Sequence, residues 1–194
     1  MTDQTDALTE RERSAERTAE SDALQSDVAA MYAVLAECWR EPSHRLVTAV
    51  EAGELEPVFG DLGSVDLKDL RTEHTRLFIG PAGPPCPPYE SVYRDRDGPH
   101  ELGPVKGPAT MAVMRWYQEF GVQPAKDHSD LPDHIATELE FAAYLAEEGF
   151  DERLDQFCDE HLNTWTKEFL GLVEEETCEQ YYKSLAATTR EVLG

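Results

Sequence analysis

Apolar residues recur at helical spacing along most of the chain. Leu24, Val28, Met31, Tyr32, Leu35, Cys38 and Trp39 form a one-sided stripe, the mark of an amphipathic helix. Pro42 predicts its end near Arg40 or Glu41. Ser43 is placed to cap a short second helix carrying Leu46, Val47 and Val50, with Gly53 as its stop. Leu55, Val58, Phe59 and Leu62 predict another turn or two, ending near Gly63. Asp66 then caps a helix through Leu67, Leu70, His74, Leu77 and Phe78, which Gly80-Pro81 breaks.

From residue 80 to 108 no helical template fits. This stretch holds most of the prolines, including the run GPPCPPYESVY from Gly83 to Tyr93. Loops beyond about 12–15 residues in a domain are usually functional or disordered, and the aromatic residues argue against disorder here. Helical patterning resumes with Met111, Met114, Trp116, Tyr117 and Phe120 up to Gly121. After the polar linker VQPAKDHSDLP, a helix is predicted with Pro132 early and Ile135, Leu139, Ala142, Leu145 and Ala146 buried, capped by Gly149. Asp151 opens a helix through Leu154, Phe157, Cys158, Leu162, Trp165, Phe169, Leu172 and Val173, and a last helix carries Tyr181, Tyr182, Leu185 and Val192. No strand and no repeat is evident. The pattern predicts an all-α fold, a single-domain helical bundle over residues 21–194 with a long Pro-rich loop. Residues 1–20, which lack an apolar face, are expected to be a disordered or frayed tail.

The charge balance narrows the function. Among 194 residues, 40 acidic side chains face 17 basic ones, a net charge of −23. Such a surface repels nucleic acid and anionic membranes. Twelve of the basic residues are Arg and five are Lys, and this composition predicts adaptation to a salt-rich cytoplasm. At molar salt the Debye length is about 3 Å, so recognition has to rest on apolar burial and short hydrogen bonds. Residues 1–22 offer no apolar leader segment, and no run approaches the roughly 20 apolar residues of a membrane span. Cys38, Cys86, Cys158 and Cys178 are widely spaced. A cytoplasmic protein with free thiols is expected.

Two segments carry candidate chemistry. DHSDLPDHIATELE gathers Asp127, His128, Asp130, Asp133, His134, Glu138 and Glu140. His134 and Glu138 share a helix face, a possible metal half-site, and a metal-dependent hydrolase using His128, His134 and the nearby carboxylates is the catalytic alternative. The simpler reading makes Asp130 or Asp133 a helix cap and leaves His134 in the first turn to packing or capping. The second segment, PPYESVY, admits two readings as well. It is either a rigid strap with Tyr89 and Tyr93 as packing anchors, or one wall of a peptide groove preorganised by proline. Ser91 lacks a nucleophile turn and no phosphate loop is present. Trp39, Trp116 and Trp165 lie on apolar stripes and are assigned to the core.

Taken together, TRLFIGP (Thr75–Pro81), PPYESVY (Pro87–Tyr93), LPDHIATELEF (Leu131–Phe141) and FCDEHLNTW (Phe157–Trp165) resemble the TorD/DmsD/NarJ family of redox-enzyme maturation chaperones. The PPYESVY and LPDH pair leans toward the TorD/DmsD branch, and the composition toward a haloarchaeal member. The resemblance implies a TorD-like all-α fold, monomeric or domain-swapped, with no catalysis, no cofactor and no resident metal. Its implied partner is the catalytic subunit of a molybdopterin oxidoreductase of the DMSO or TMAO reductase type, with its twin-arginine signal peptide, bound in the cytoplasm before export and during cofactor insertion. The implied signal-peptide surface comprises Leu77, Phe78, Pro88, Tyr89, Glu90, Ser91, Tyr93, Asp130, Asp133 and His134. Leu77, Phe78, Tyr89 and Tyr93 are expected to line an apolar groove, and Glu90, Asp130 and Asp133 to receive the arginines through charge-assisted hydrogen bonds.

Overall fold

The computed structural model describes residues 23–80, 83–98, 101–123 and 131–194, and its regular elements are helices. The expected tail at residues 1–20 lies outside the described residues, as do His128 and Asp130. Residues 23–38 form α1. Its stripe is buried from Tyr32 onward, whereas Leu24 and Val28 remain exposed. Helices α2 (His44–Glu51), α3 (Glu56–Phe59) and α4 (Leu67–His74) follow. The expected caps are present: Leu46 N–H donates to Ser43 Oγ at 3.3 Å, and Lys68 and Asp69 N–H donate to Asp66 Oδ1, satisfying amides that a helix start leaves free. Helix α4 continues into a π-helical turn, Thr75–Ile79.

The Pro-rich segment corrects the sequence reading, because it contains a short helix, α5 (Glu90–Arg94). Five residues bounded by prolines and polar turns are too few to show a period of 3.6. Helix α6 (Pro108–Glu119) starts with proline at its head. Its N-cap, Gly107, has no side chain, and Asp95 Oδ2 accepts the Ala109 N–H instead, at 2.9 Å. Helices α7 (Ile135–Glu147), α8 (Asp151–Phe157), α9 (Asn163–Glu176) and α10 (Gln180–Leu193) complete the bundle. A second π-helical turn, Cys158–Leu162, joins α8 to α9, so the single helix expected from Asp151 is divided.

Aromatic rings fill the core. Trp39 meets Phe78 and Phe169, and Tyr93 stacks on Trp165 with ring centroids 5.4 Å apart. A neighbouring cluster joins Trp116, Phe120, Phe141 and Phe157. Trp39, Trp116 and Trp165 are all buried. Their polar edges are satisfied where they enter the core: Trp39 Nε1 donates to Thr189 Oγ1 at 3.0 Å, and Tyr181 donates its hydroxyl to the Cys38 carbonyl at 2.8 Å. Both bonds fasten α1 to α10. All four cysteines are free thiols, and burial pushes Cys38 and Cys86 up to about 12. Among the described residues no helix is long and apolar enough to cross a membrane.

Residues 83–98 run across this core as a strap. Cys86 N–H donates to the Leu77 carbonyl at 3.0 Å, and Gly103 N–H returns to the Val92 carbonyl at 2.8 Å. A Cβ on Gly103 would sit 2.9 Å from the Ser91 carbonyl oxygen and 3.0 Å from Arg96 N, both main-chain atoms. Gly103→Ala is therefore expected to destabilise the fold by about 1–3 kcal/mol. Gly171→Ala, inside α9 with open space around it, is expected to stabilise it by about 0.5–1 kcal/mol. Urea midpoints of the two variants check both signs.

Candidate functional site

The strap meets the start of α7 through main-chain bonds. Ile135 N–H donates to the Pro88 carbonyl at 3.0 Å and Glu90 N–H donates to the Asp133 carbonyl at 2.9 Å. These bonds flank Tyr89 and His134, which form a single antiparallel bridge pair. In the position between two such bonds, facing side chains approach closely. The Tyr89 and His134 rings lie edge to face, 5.3 Å between centroids.

The turn before α7 explains the local geometry. His134 N–H donates to the Leu131 carbonyl at 3.1 Å, so Pro132 occupies a turn and not the early helical position predicted for it. The helix cap is His134, whose Nδ1 accepts the Ala136 N–H at 3.2 Å. An accepting ring nitrogen carries no proton, which is the neutral form that a helix N-terminus favours. Asp133, expected among the caps, turns away from α7. Its Oδ2 accepts the Ser91 N–H at 3.0 Å, across 42 residues of sequence.

Beneath the joint lies a buried polar network. The Glu90 carboxylate is 0% exposed. It pairs with Arg94 one turn along α5 and meets His161 Nδ1 at 3.0 Å through both oxygens. Arg94 also donates to the Glu160 carbonyl at 2.9 Å, so α5 is fastened to the second π-helical turn by side chain and main chain together. Glu138, on α7, accepts from Trp165 Nε1 at 3.2 Å. Burial, with the Glu90 charge beside it, holds the Glu138 carboxyl well above the usual carboxylate range. Glu138 therefore holds a proton more readily than an ordinary carboxyl, next to an ion-paired acid. Tyr117, on α6, donates its hydroxyl to the Pro132 carbonyl at 2.7 Å.

The ten residues singled out in the sequence fall into place as follows. Pro88, Tyr89, Glu90, Ser91, Asp133 and His134 come together at the joint. Leu77 and Phe78 lie on the first π-helical turn, and Phe78 reaches Tyr93 by way of Phe169. Asp130 is outside the described residues. The expected open groove is corrected: Leu77, Phe78 and Tyr93 are core residues, and Tyr89 alone of the four is partly exposed. The Glu90 and Asp133 carboxylates likewise face inward, each 0% exposed: Arg94 and His161 meet Glu90, and the Ser91 N–H meets one oxygen of Asp133. His161 is not singled out by the sequence reading, and Glu138 only as a metal half-site with His134, not as part of the peptide surface. Their signal was a polar residue inside an apolar helical stripe, His161 one turn from both Phe157 and Trp165. Among the described residues no group of three His, Cys, Asp or Glu side chains is placed to hold a metal ion.

Comparison with known proteins fits this arrangement. The family model for the nitrate reductase delta subunit matches residues 21–171. The chain belongs to that family. Among its relatives is the Tat proofreading chaperone DmsD of Salmonella typhi, 31% identical over 145 residues, covering 75% of this chain and 69% of the relative. The chlorate reductase assembly chaperone of Ideonella dechloratans is 27% identical over 165 residues, covering 77% and 75%. A crystal structure of a candidate redox enzyme maturation protein from Archaeoglobus fulgidus superposes with a TM-score of 0.63 at 27% identity, covering 84% of this chain and 92% of that one. The all-α fold of this chaperone family is thus shared, and the role is that of a maturation chaperone, not a catalyst.

The raised Glu138 pKa has a consequence for stability. The folded state binds this proton more tightly than the unfolded state, so Glu138 favours folding at low pH. That contribution is lost as pH rises from the ordinary value of 4.5 toward the raised one. Glu138→Gln keeps the neutral shape and is expected to flatten the decline. Urea unfolding of both proteins across this pH range measures the difference.

Proposed function

We propose that this chaperone holds the catalytic subunit of a molybdopterin oxidoreductase, of the DMSO or TMAO reductase type, in the cytoplasm before export. It does so by binding the subunit's twin-arginine signal peptide, its apo form or both, while cofactor is inserted. The observation that carries this reading is the joint of strap and α7. It unites the PPYESVY and LPDH segments, 42 residues apart at Ser91 and Asp133, into one local structure. The names of the relatives, a Tat proofreading chaperone and a chlorate reductase assembly chaperone, support the same class of client.

In this reading the client lies over the joint. Tyr89, Leu131 and Pro132 are partly exposed there and contribute apolar contact, with His134 beneath them. Glu90, Ser91 and Asp133 act from below by fixing the two segments against each other, and Leu77, Phe78, Pro88 and Tyr93 form the floor that supports the strap. Asp130, next in sequence to this turn, supplies a carboxylate for a guest arginine. The protein acts as a monomer or as a dimer that exchanges elements about the strap.

Calorimetric titration at molar salt tests the proposal, using a synthetic twin-arginine peptide and the apo subunit. Saturable binding is expected, and Tyr89→Ala is expected to weaken it about tenfold, the loss of one aromatic contact. Absence of saturable binding to both the peptide and the subunit would end this reading.

A further inference from the structure

A second concave surface lies along α7, on a face beside the one that meets the strap. It is a groove of about 290 Å³ lined by Tyr117, Val122, Thr137, Glu140, Phe141 and Tyr144, with Gln123 at its edge. The sequence explains its walls. Thr137, Glu140, Phe141 and Tyr144 follow the i, i+3, i+4, i+7 spacing of one helix face. At the end of α6, Gly121 takes φ 68° and Val122 N–H turns back to the Tyr117 carbonyl at 2.9 Å, which sets Val122 beside Tyr117. Aromatic and aliphatic carbon therefore dominates the interior. The acid among the lining residues is Glu140, whose Oε2 pairs with Arg40 at 2.7 Å while 41% of its side chain stays exposed.

We propose that this groove is a second anchoring site for the same client peptide, taking one or two apolar side chains with a neighbouring arginine or lysine directed at Glu140. The inference rests on the functional reading above and specifies where the guest's apolar part goes. The volume is at the small end for ligand sites and suits side chains rather than a cofactor. Charge selects the occupant. A half-exposed carboxylate at the edge of an apolar groove, on a chain of net charge −23, favours a segment that is both apolar and basic. At high salt this contact acts at short range, through a charge-assisted hydrogen bond. The groove also communicates with the joint. Tyr117 forms its wall and donates to the Pro132 carbonyl in the turn that presents His134 to Tyr89. A guest spanning both surfaces grips the first turns of α7 from two sides.

The test uses the full chain and two synthetic peptides: one with paired arginines followed by a leucine-rich stretch, and one with the arginines changed to glutamine. Affinities are measured for wild type, Glu140→Gln, Tyr144→Ala and Gln123→Trp. The last substitution, at an exposed position, plugs the mouth of the groove and keeps the test valid if Tyr144→Ala lowers stability. Tyr144→Ala and Gln123→Trp are expected to weaken the arginine peptide about tenfold or more. Glu140→Gln is expected to weaken it about threefold or more and to leave the glutamine peptide unchanged. Wild-type binding that all three variants retain within twofold would overturn the groove assignment and leave the functional reading standing. Failure of wild type to bind either peptide or the apo subunit would overturn both. If hydrogen exchange of α7 ignores the peptide but rises when residues 124–130 are replaced by a glycine-serine linker, the occupant is the chain's own linker. If the groove variants instead dissolve a dimer formed without peptide, the occupant is a second copy. Either result overturns the assignment.

Discussion

A carboxylate enclosed without solvent is costly unless cations and donors surround it. Glu90 is such a group. Its partners come from three directions: Arg94 along its own helix, His161 from the second π-helical turn, and the Asp133 carbonyl that takes its amide proton. Arg94 travels with the strap, but His161 and the Asp133 carbonyl serve Glu90 only when the strap lies where it does. Apolar burial alone would hold Val92 and Tyr93 against the core, but it would tolerate sliding by a residue. The buried cluster does not, because a shift of one residue would take Glu90 away from His161 and from the Asp133 carbonyl. Position, more than stability, is what this cluster supplies.

The network has an economy of charge. Three acids, Glu90, Asp133 and Glu138, share the region with Arg94 and His161. Burial and the Glu90 charge favour the protonated form of Glu138, and Trp165 Nε1 donates to one of its oxygens. Asp133 is placed against a main-chain amide. The geometry distributes the labour: one acid is ion-paired, one takes an indole N–H and one is hydrogen-bonded to backbone.

Much of the fold was legible because helix signals are local. Ser43 and Asp66 cap the helices they were expected to cap, and the stripes through Leu139, Leu145, Phe169 and Tyr182 are buried as their spacing implied. The misreadings have two origins, partners distant in sequence and an element too short to show a period. Asp133 looks like a cap when only its neighbours are considered, and its actual partner is Ser91 N–H in another part of the chain. Helix α5 was missed because five residues carry no periodic signal. The inward direction of Glu90 was hidden for the first reason, since His161 lies 71 residues away. Which segments belong together could be read from the motifs, but which atoms face outward depended on contacts that no local pattern encodes.

The fastening of the strap is largely a main-chain affair. Cys86 to Leu77, Glu90 to Asp133, Ile135 to Pro88 and Gly103 to Val92 are all amide-to-carbonyl links, and none depends on the identity of the side chain at Tyr89 or Leu131. Evolution can therefore exchange the residues displayed above the joint while the scaffold below keeps its shape. A lineage of such proteins is free to follow its guests as they diverge, and relatives sharing barely three residues in ten retain a common architecture.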